Sequence, residues 1–263
     1  MSTASTLRWS RFLKADSGRG LIVPIDHGLT SGPIEGIACM SAVSKWIRHP
    51  AVDGILLHKG CAQRLMREGL LNGKALCIHL NGTTTLAAAP AHKEMLTTVE
   101  AAIRLAADAV SLDLVFDGLT DTTNLRTVGS VVDEADAYQI PLLVMLKTSH
   151  TGALPRDRMR ILRQLCRSMA ELGVRAVKLP RPETTELLPE LLDGIAGDID
   201  VFFAGGELEN SHALLDFVRR ALHHGARGFC IGRNVFQNPV PEVFLDRLAE
   251  AIHEEPHVAM AVA

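Results

Sequence analysis

Eight short runs of nearly unbroken apolar character recur along the chain at intervals of roughly 20–35 residues, about the length of one βα unit. The runs are Leu21–Asp26, Gly54–Lys59, Ala75–Leu80, Ala109–Leu114, Pro141–Lys147, Val174–Leu179, Asp200–Ala204 and Gly228–Ile231. A strand with one wet face alternates apolar and polar residues. A run without alternation fits a strand covered on both faces, as parallel strands are. Helical periodicity fills the gaps, over Gly36–Arg48, Ala62–Leu71, His92–Ala106, Asp121–Tyr138, Pro155–Leu172, Glu183–Ile195, Ser211–His223 and Pro241–His253. Glycines such as Gly152, Gly173, Gly197 and Gly225 punctuate the junctions. The alternation predicts an α/β fold, a single TIM (β/α)₈ barrel. Its competitor is a doubly wound open sheet, but no GxGxxG fingerprint follows any predicted strand. The expected organisation is an N-terminal extension over 1–20, a barrel over 21–254 and a C-terminal tail over 255–263.

Bulk properties remove several function classes. A formal net charge of −3 and the lack of a dense basic stripe argue against nucleic acid or an anionic membrane as partner. The five cysteines are odd in number and scattered, without a CxxC pair, so neither a disulfide framework nor a structural zinc site is expected. No HExxH or comparable spacing suggests a catalytic metal, and no cofactor is implied. Met1–Lys14 lacks the apolar stretch of a signal peptide and no run reaches membrane-spanning length, so a cytoplasmic enzyme is expected.

A barrel places its chemistry at the C-terminal ends of its strands. There the sequence sets Asp26 and His27, His58 and Lys59, His79 and Asn81, then Asp113, Lys147 and Lys178. Lys178 closes the apolar run Val174–Leu179, and Pro180 follows at once. A lysine buried in such a run is costly as an ammonium, and the neutral amine is a nucleophile able to form a Schiff base with a carbonyl. The alternative is an edge lysine that reaches to water. Lys147 ends the neighbouring run. It either lowers the proton affinity of Lys178 as an adjacent cation or pairs with Asp113 or a bound phosphate. Asp26 can hold the lysine or act as acid and base on carbinolamine and enamine intermediates, or Asp-His-Gly is simply a turn. His58 and His79, on apolar strands, fit satisfied core histidines. The last two runs end in Gly205-Gly206 and in Gly232-Arg233. Exposed backbone N–H groups and a guanidinium at this place in a barrel form a phosphate site, unless the glycines serve only tight turns.

Taken together, Val23-Pro24-Ile25-Asp26-His27-Gly28, Leu57-His58-Lys59-Gly60, His79-Leu80-Asn81-Gly82-Thr83-Thr84, Val177-Lys178, Ala204-Gly205-Gly206 and Ile231-Gly232-Arg233-Asn234 resemble the DhnA/archaeal-type class I fructose-bisphosphate aldolases. Relatives of that family include aminodideoxyheptulosonate synthases and LsrF-type thiolases. The resemblance runs from about Leu21 to His253. It implies a Schiff-base lysine at Lys178, an acid/base aspartate at Asp26, a phosphate grip at Gly205, Gly206, Gly232 and Arg233, a phosphorylated ketose substrate, and a homo-oligomer, often a decamer. Three departures stand out. Lys147-Thr148-Ser149-His150 replaces the family's Tyr-Pro-Arg-Gly, Leu112-Asp113-Leu114-Val115 replaces a Val-His-Val-Asn-like run, and Leu179-Pro180-Arg181 follows the lysine. Tyr138, the sole tyrosine, falls in a predicted helix. The expectation is a specialised carbon–carbon bond-forming aldolase or synthase. Lys147 stands where the tyrosine is lost, and His27, Lys59 and Asp113 contact substrate. The alternatives are a thiolase or phosphosugar isomerase on the same barrel, or an idle phosphosugar-binding homologue.

Overall fold

A computed structural model describes residues 2–88, 92–149 and 154–253. The expected tail over 255–263, together with His150 and Gly152, lies outside the described residues. Eight parallel strands close into a barrel in sequence order: β1 (Gly20–Pro24), β2 (Gly54–Leu57), β3 (Ala75–His79), β4 (Ala109–Phe116), β5 (Leu142–Thr148), β6 (Ala176–Leu179), β7 (Asp200–Ala204) and β8 (Gly228–Cys230). β8 pairs with β1 through Gly20, Leu21 and Ile22, which closes the ring.

The absence of alternation in the sequence has its explanation in two cores. One parity of strand residues, such as Leu21, Val23, Ile55 and Leu57, packs outward under the helices. The other, with Ile22, Leu56, Cys77, Leu143, Met145 and Phe202, fills the barrel. The strands are therefore apolar on both faces apart from a few polar residues, Asp200 at the start of β7 and others at inward positions toward the barrel mouth. Ser111, Asp113, His79 and Lys178 occupy those positions.

The N-terminal residues are part of this interior. Thr3–Ser10 forms a helix, with the Ser2 hydroxyl accepting from the Ser5 N–H at 3.2 Å as its cap. It lies at the N-terminal end of the barrel, where Trp9 and Phe12 enter the inner core. Trp9 Nε1 donates to Asp200 Oδ2 at 2.6 Å, and Arg11 pairs with Asp108 at 2.5 Å. Phe12 lies against Gly54, where any Cβ would overlap its ring. Trp9→Ala is expected to lower unfolding stability by about 3–5 kcal/mol, the usual cost of emptying a buried aromatic site. Chemical denaturation followed by circular dichroism measures it, and a loss under about 1 kcal/mol would mean that the plug is dispensable.

Three helix expectations need correction. His92–Ala106 is helical only over Val99–Ile103, capped by the Thr98 hydroxyl, which accepts from the Ala101 N–H at 3.1 Å. Before it, Glu94–Met95 forms a two-residue antiparallel ribbon with Asn81–Gly82. The Leu96 N–H donates to the Leu80 carbonyl at 2.8 Å, so the backbone is committed to the barrel mouth. Gly36–Arg48 is helical only over Met40–Val43, the rest being turns that bury Trp46 and Ile47. Glu183–Ile195 divides into a 3₁₀ turn, Thr185–Leu187, and a short helix, Leu188–Leu192, with Pro189 in its first turn.

Candidate active site

Lys178 lies on the inner face of β6, between Met145 of β5 and Phe202 of β7 in register. Its Nζ sits 3.5 Å from Met145 Sδ. Among the described residues no carboxylate is within ion-pair distance of it. The apolar neighbours leave the amine facing a cavity of about 250 Å³ that also bears Asp26, Asp113, Lys147, Gly205, Gly206, Gly232 and Arg233. The alternative of an outward edge lysine is thereby removed.

Asp26 follows β1 and begins the short helix His27–Ser31. Burial raises its proton affinity, but His79, Lys178 and His27 outweigh that and hold its carboxyl below the ordinary range. It is therefore ionised at neutral pH and able to accept a proton. His27 Nδ1 lies 3.5 Å from Asp26 Oδ1, and the His27 ring meets Phe236 edge-on. Burial lowers the proton affinity of His27 despite the aspartate.

Asp113 holds Lys147, whose Nζ donates to Asp113 Oδ2 at 2.9 Å. A second lysine, Lys93, donates to the same oxygen. Burial works against the carboxylate, and these two cations overcome it, so its proton affinity falls far below the usual range. Asn81 fixes the local backbone: its Oδ1 accepts from the Asp113 N–H at 2.8 Å, and its Nδ2 donates to the Asp113 carbonyl at 3.0 Å. Of the two readings of Lys147, the structure shows the pairing with Asp113. Lys93 carries no signal in the sequence, because it sits in a stretch whose periodicity reads as helix.

The loops after β7 and β8 are tied together by Asn234, only 2% exposed. Its Nδ2 donates to the Gly205 and Glu207 carbonyls at 3.2 and 2.8 Å, and its Oδ1 accepts from the Glu209 N–H at 3.0 Å. Gly232 is pressed between His27 and the Pro24 carbonyl, each 3.0 Å from where a Cβ would sit, so a side chain there would have to push one of them aside. Arg233 lines the cavity and pairs with Glu207, an exposed and readily displaced partner. Lys59, by contrast, does not reach the Lys178 cavity. It lines a neighbouring one. Among the described residues no cluster of three His, Cys, Asp or Glu side chains could hold a metal ion, and no helix is long and apolar enough to cross a membrane.

His79, 3% exposed, contacts the Ser111 hydroxyl through Nδ1 at 2.8 Å, and burial lowers its proton affinity to about 4 from an ordinary 6.5. The unfolded chain then takes up this proton first as pH falls. Stability is full above pH 6.5 and declines as pH falls from there toward about 4. His58 and His27 are shifted in the same direction. Urea midpoints at pH 7 and pH 5 are expected to differ, and His79→Asn, which can keep a hydrogen bond to Ser111, should flatten the profile. An unchanged slope in that variant would assign the acid sensitivity elsewhere.

The model of the DeoC/LacD family aldolases matches residues 20–238. The chain belongs to that aldolase family. Relatives of this DeoC/LacD aldolase include 2-amino-3,7-dideoxy-D-threo-hept-6-ulosonate synthase 1 of Archaeoglobus fulgidus, 34% identical over 254 residues, covering 95% of this chain and 90% of that one. The 2-amino-4,5-dihydroxy-6-oxo-7-(phosphonooxy)heptanoate synthase of Streptomyces griseus is 30% identical, covering 95% and 90%. A class 1 fructose-bisphosphate aldolase of Halobacterium salinarum is 27% identical, covering 93% and 94%. An archaeal fructose-1,6-bisphosphate aldolase, solved with its catalytic lysine covalently bound to the carbinolamine intermediate of the substrate, shares the barrel of this aldolase with a TM-score of 0.82 at 24% identity, covering 95% of this chain and 99% of that one. The sequence resemblance to archaeal-type class I aldolases therefore holds, and the chain is an enzyme of the aldolase kind.

Proposed function

We propose that this DeoC/LacD aldolase makes or breaks a carbon–carbon bond in a phosphorylated ketose through a Schiff base on Lys178, as a specialised biosynthetic synthase. The observation that carries this reading is the single cavity that joins Lys178 to Asp26 and to the glycine loops after β7 and β8. The amine adds to the donor ketone and water leaves, giving an iminium that withdraws electrons from the adjacent carbon. Asp26, ionised beside Lys178, removes the proton there and an enamine forms. The backbone of Gly205, Gly206 and Gly232 with the Arg233 guanidinium holds the phosphate, replacing Glu207 as the partner of Arg233.

Two observations favour a synthase. Lys147 stands where archaeal-type class I aldolases carry tyrosine, and Tyr138 is 40% exposed at the end of the outer helix Asp121–Ala137. The relatives at 34% and 30% identity are named synthases. The same reading includes a cytoplasmic location and a homo-oligomer. A second reading, a phosphoketone-binding barrel without turnover, draws support from the hold of Asp113 on Lys147, which occupies the one amine at the tyrosine position. Exchange of the donor's α-proton in deuterated water separates the two, since only the enzyme exchanges it.

Borohydride added in the presence of dihydroxyacetone phosphate is expected to leave a covalent mass increment on the peptide carrying Lys178. An increment on another lysine, or none with any phosphorylated ketone, would overturn the assignment.

A further inference from the structure

Arg181, in the Leu179-Pro180-Arg181 segment that departs from the family pattern, stands three residues beyond Lys178. Leu179 and Pro180 line the Lys178 cavity, and Arg181 does not. Its guanidinium carbon lies 4.5 Å from the centre of the Phe217 ring, on the helix Ser211–His223. Phe217 in turn meets Phe203 of β7 edge-on, and Phe203 is in register with Leu179 of β6. From that seat Arg181 Nη1 donates to Glu209 Oε1, in the loop after β7. Among the described residues no other carboxylate lies within ion-pair distance of Arg181, and no other cation within that distance of Glu209. The two side chains are 24% and 29% exposed, against 83% for Glu207, the partner of Arg233. Water screens the Glu207 pair, which a phosphate can displace, and screens the Arg181 pair far less.

We propose that Arg181 is a positioning residue for the donor phosphate: through Glu209 it fixes the loop that carries Gly205 and Gly206, and it touches no substrate itself. The assignment rests on the Schiff-base and phosphate-grip reading of this cavity. Glu209 is where two ties on that loop meet. Its N–H donates to Asn234, which also holds the Gly205 and Glu207 carbonyls, and its carboxylate is held by Arg181. Asn234 alone anchors the loop to the β8 side. Arg181 anchors it to β6, the strand that bears the amine. Pro180, whose ring locks its φ, stiffens the short path between Lys178 and Arg181. A donor bound at both ends needs its ketone at Lys178 and its phosphate at the loop at one fixed separation, and the Arg181–Glu209 pair sets that separation. A donor without phosphate makes no use of the loop, so its imine forms regardless of where the loop lies.

The test uses the full chain and two donors that differ only in the phosphate, dihydroxyacetone phosphate and dihydroxyacetone. The readout is the donor concentration that gives half-maximal borohydride trapping, followed by mass spectrometry. Wild type should need at least about tenfold less of the phosphate ester, the scale of one charge-assisted hydrogen bond. Arg181→Met, whose apolar side chain can still cover Phe217, should raise the concentration of ester needed by about tenfold and leave that of dihydroxyacetone unchanged. Glu209→Met should do the same. The double variant Arg181→Met/Glu209→Met should lose no more than either single one, because all three break one link. An equal loss with both donors, or a loss with neither, would overturn the role of Arg181, and so would losses that add in the double variant. Should Arg181→Met fail to fold, the donor split in Glu209→Met decides the matter in the same way. A wild-type enzyme that traps both donors alike would overturn the phosphate grip, and the role of Arg181 with it. Absence of trapping with either donor would overturn the Schiff base itself, and everything that rests on it.

Discussion

Lys178→Met is expected to abolish both reductive trapping and turnover, with kcat falling by roughly 10⁴–10⁶-fold, the scale on which loss of a covalent nucleophile is felt. The variant should fold normally. Lys178 Nζ has a thioether at 3.5 Å as its polar contact, and the methionine side chain is of similar length and suits the inner core beside Met145 and Phe202. Removing a cation that helps hold Asp26 ionised also moves the Asp26 carboxyl back toward the ordinary carboxylate range. A variant that unfolds at the wild-type urea midpoint yet retains no label isolates the chemistry from the fold. One that traps dihydroxyacetone phosphate at an unchanged rate would discard Lys178 as the electrophile-forming residue.

Asp26→Asn is expected to separate the proton transfer from the covalent step. The amide cannot accept a proton, so α-proton exchange and overall turnover should fall about 10²–10⁴-fold, the usual range for a lost general acid–base group. Lys178 remains in the variant, so borohydride should still trap the donor. In the wild type the acid limb of kcat/KM follows from the direction of the Asp26 shift. The base must be ionised, and its proton affinity lies below the ordinary 3.8. Activity attributable to Asp26 is thus retained as pH falls to about 4 and is lost only below that. Deuterium exchange by mass spectrometry across pH 4–8 measures both effects. Equal exchange rates in Asp26→Asn and wild type would transfer the proton to another group, with Lys147 first among them.

The barrel was readable because its strands must be apolar on both faces, and eight such runs separated by helical periodicity admit few arrangements. The strand ends were readable for the same reason. Once the runs are strands of a barrel, Asp26, Asp113, Lys147 and Lys178 fall at one mouth, and the structure places all four around one cavity. The helix Thr3–Ser10 escaped because its eight residues carry only scattered apolar groups, and its value lies in Trp9 and Phe12 meeting strands far along the chain. The stretch before Val99 was misread because local periodicity cannot report that its backbone pairs with Asn81–Gly82 and Leu80.

By itself the sequence determined the closed parallel barrel, with a lysine and two glycine loops at its strand ends, since periodicity and strand-end placement are local properties of the chain; that the lysine faces inward is a finding of the structure. Only the tertiary structure decided that Lys93 joins Lys147 on Asp113, that Lys59 faces a second cavity, and that Asp26 stands between the two. Those relations depend on the paths of loops whose side chains meet only when the ring closes.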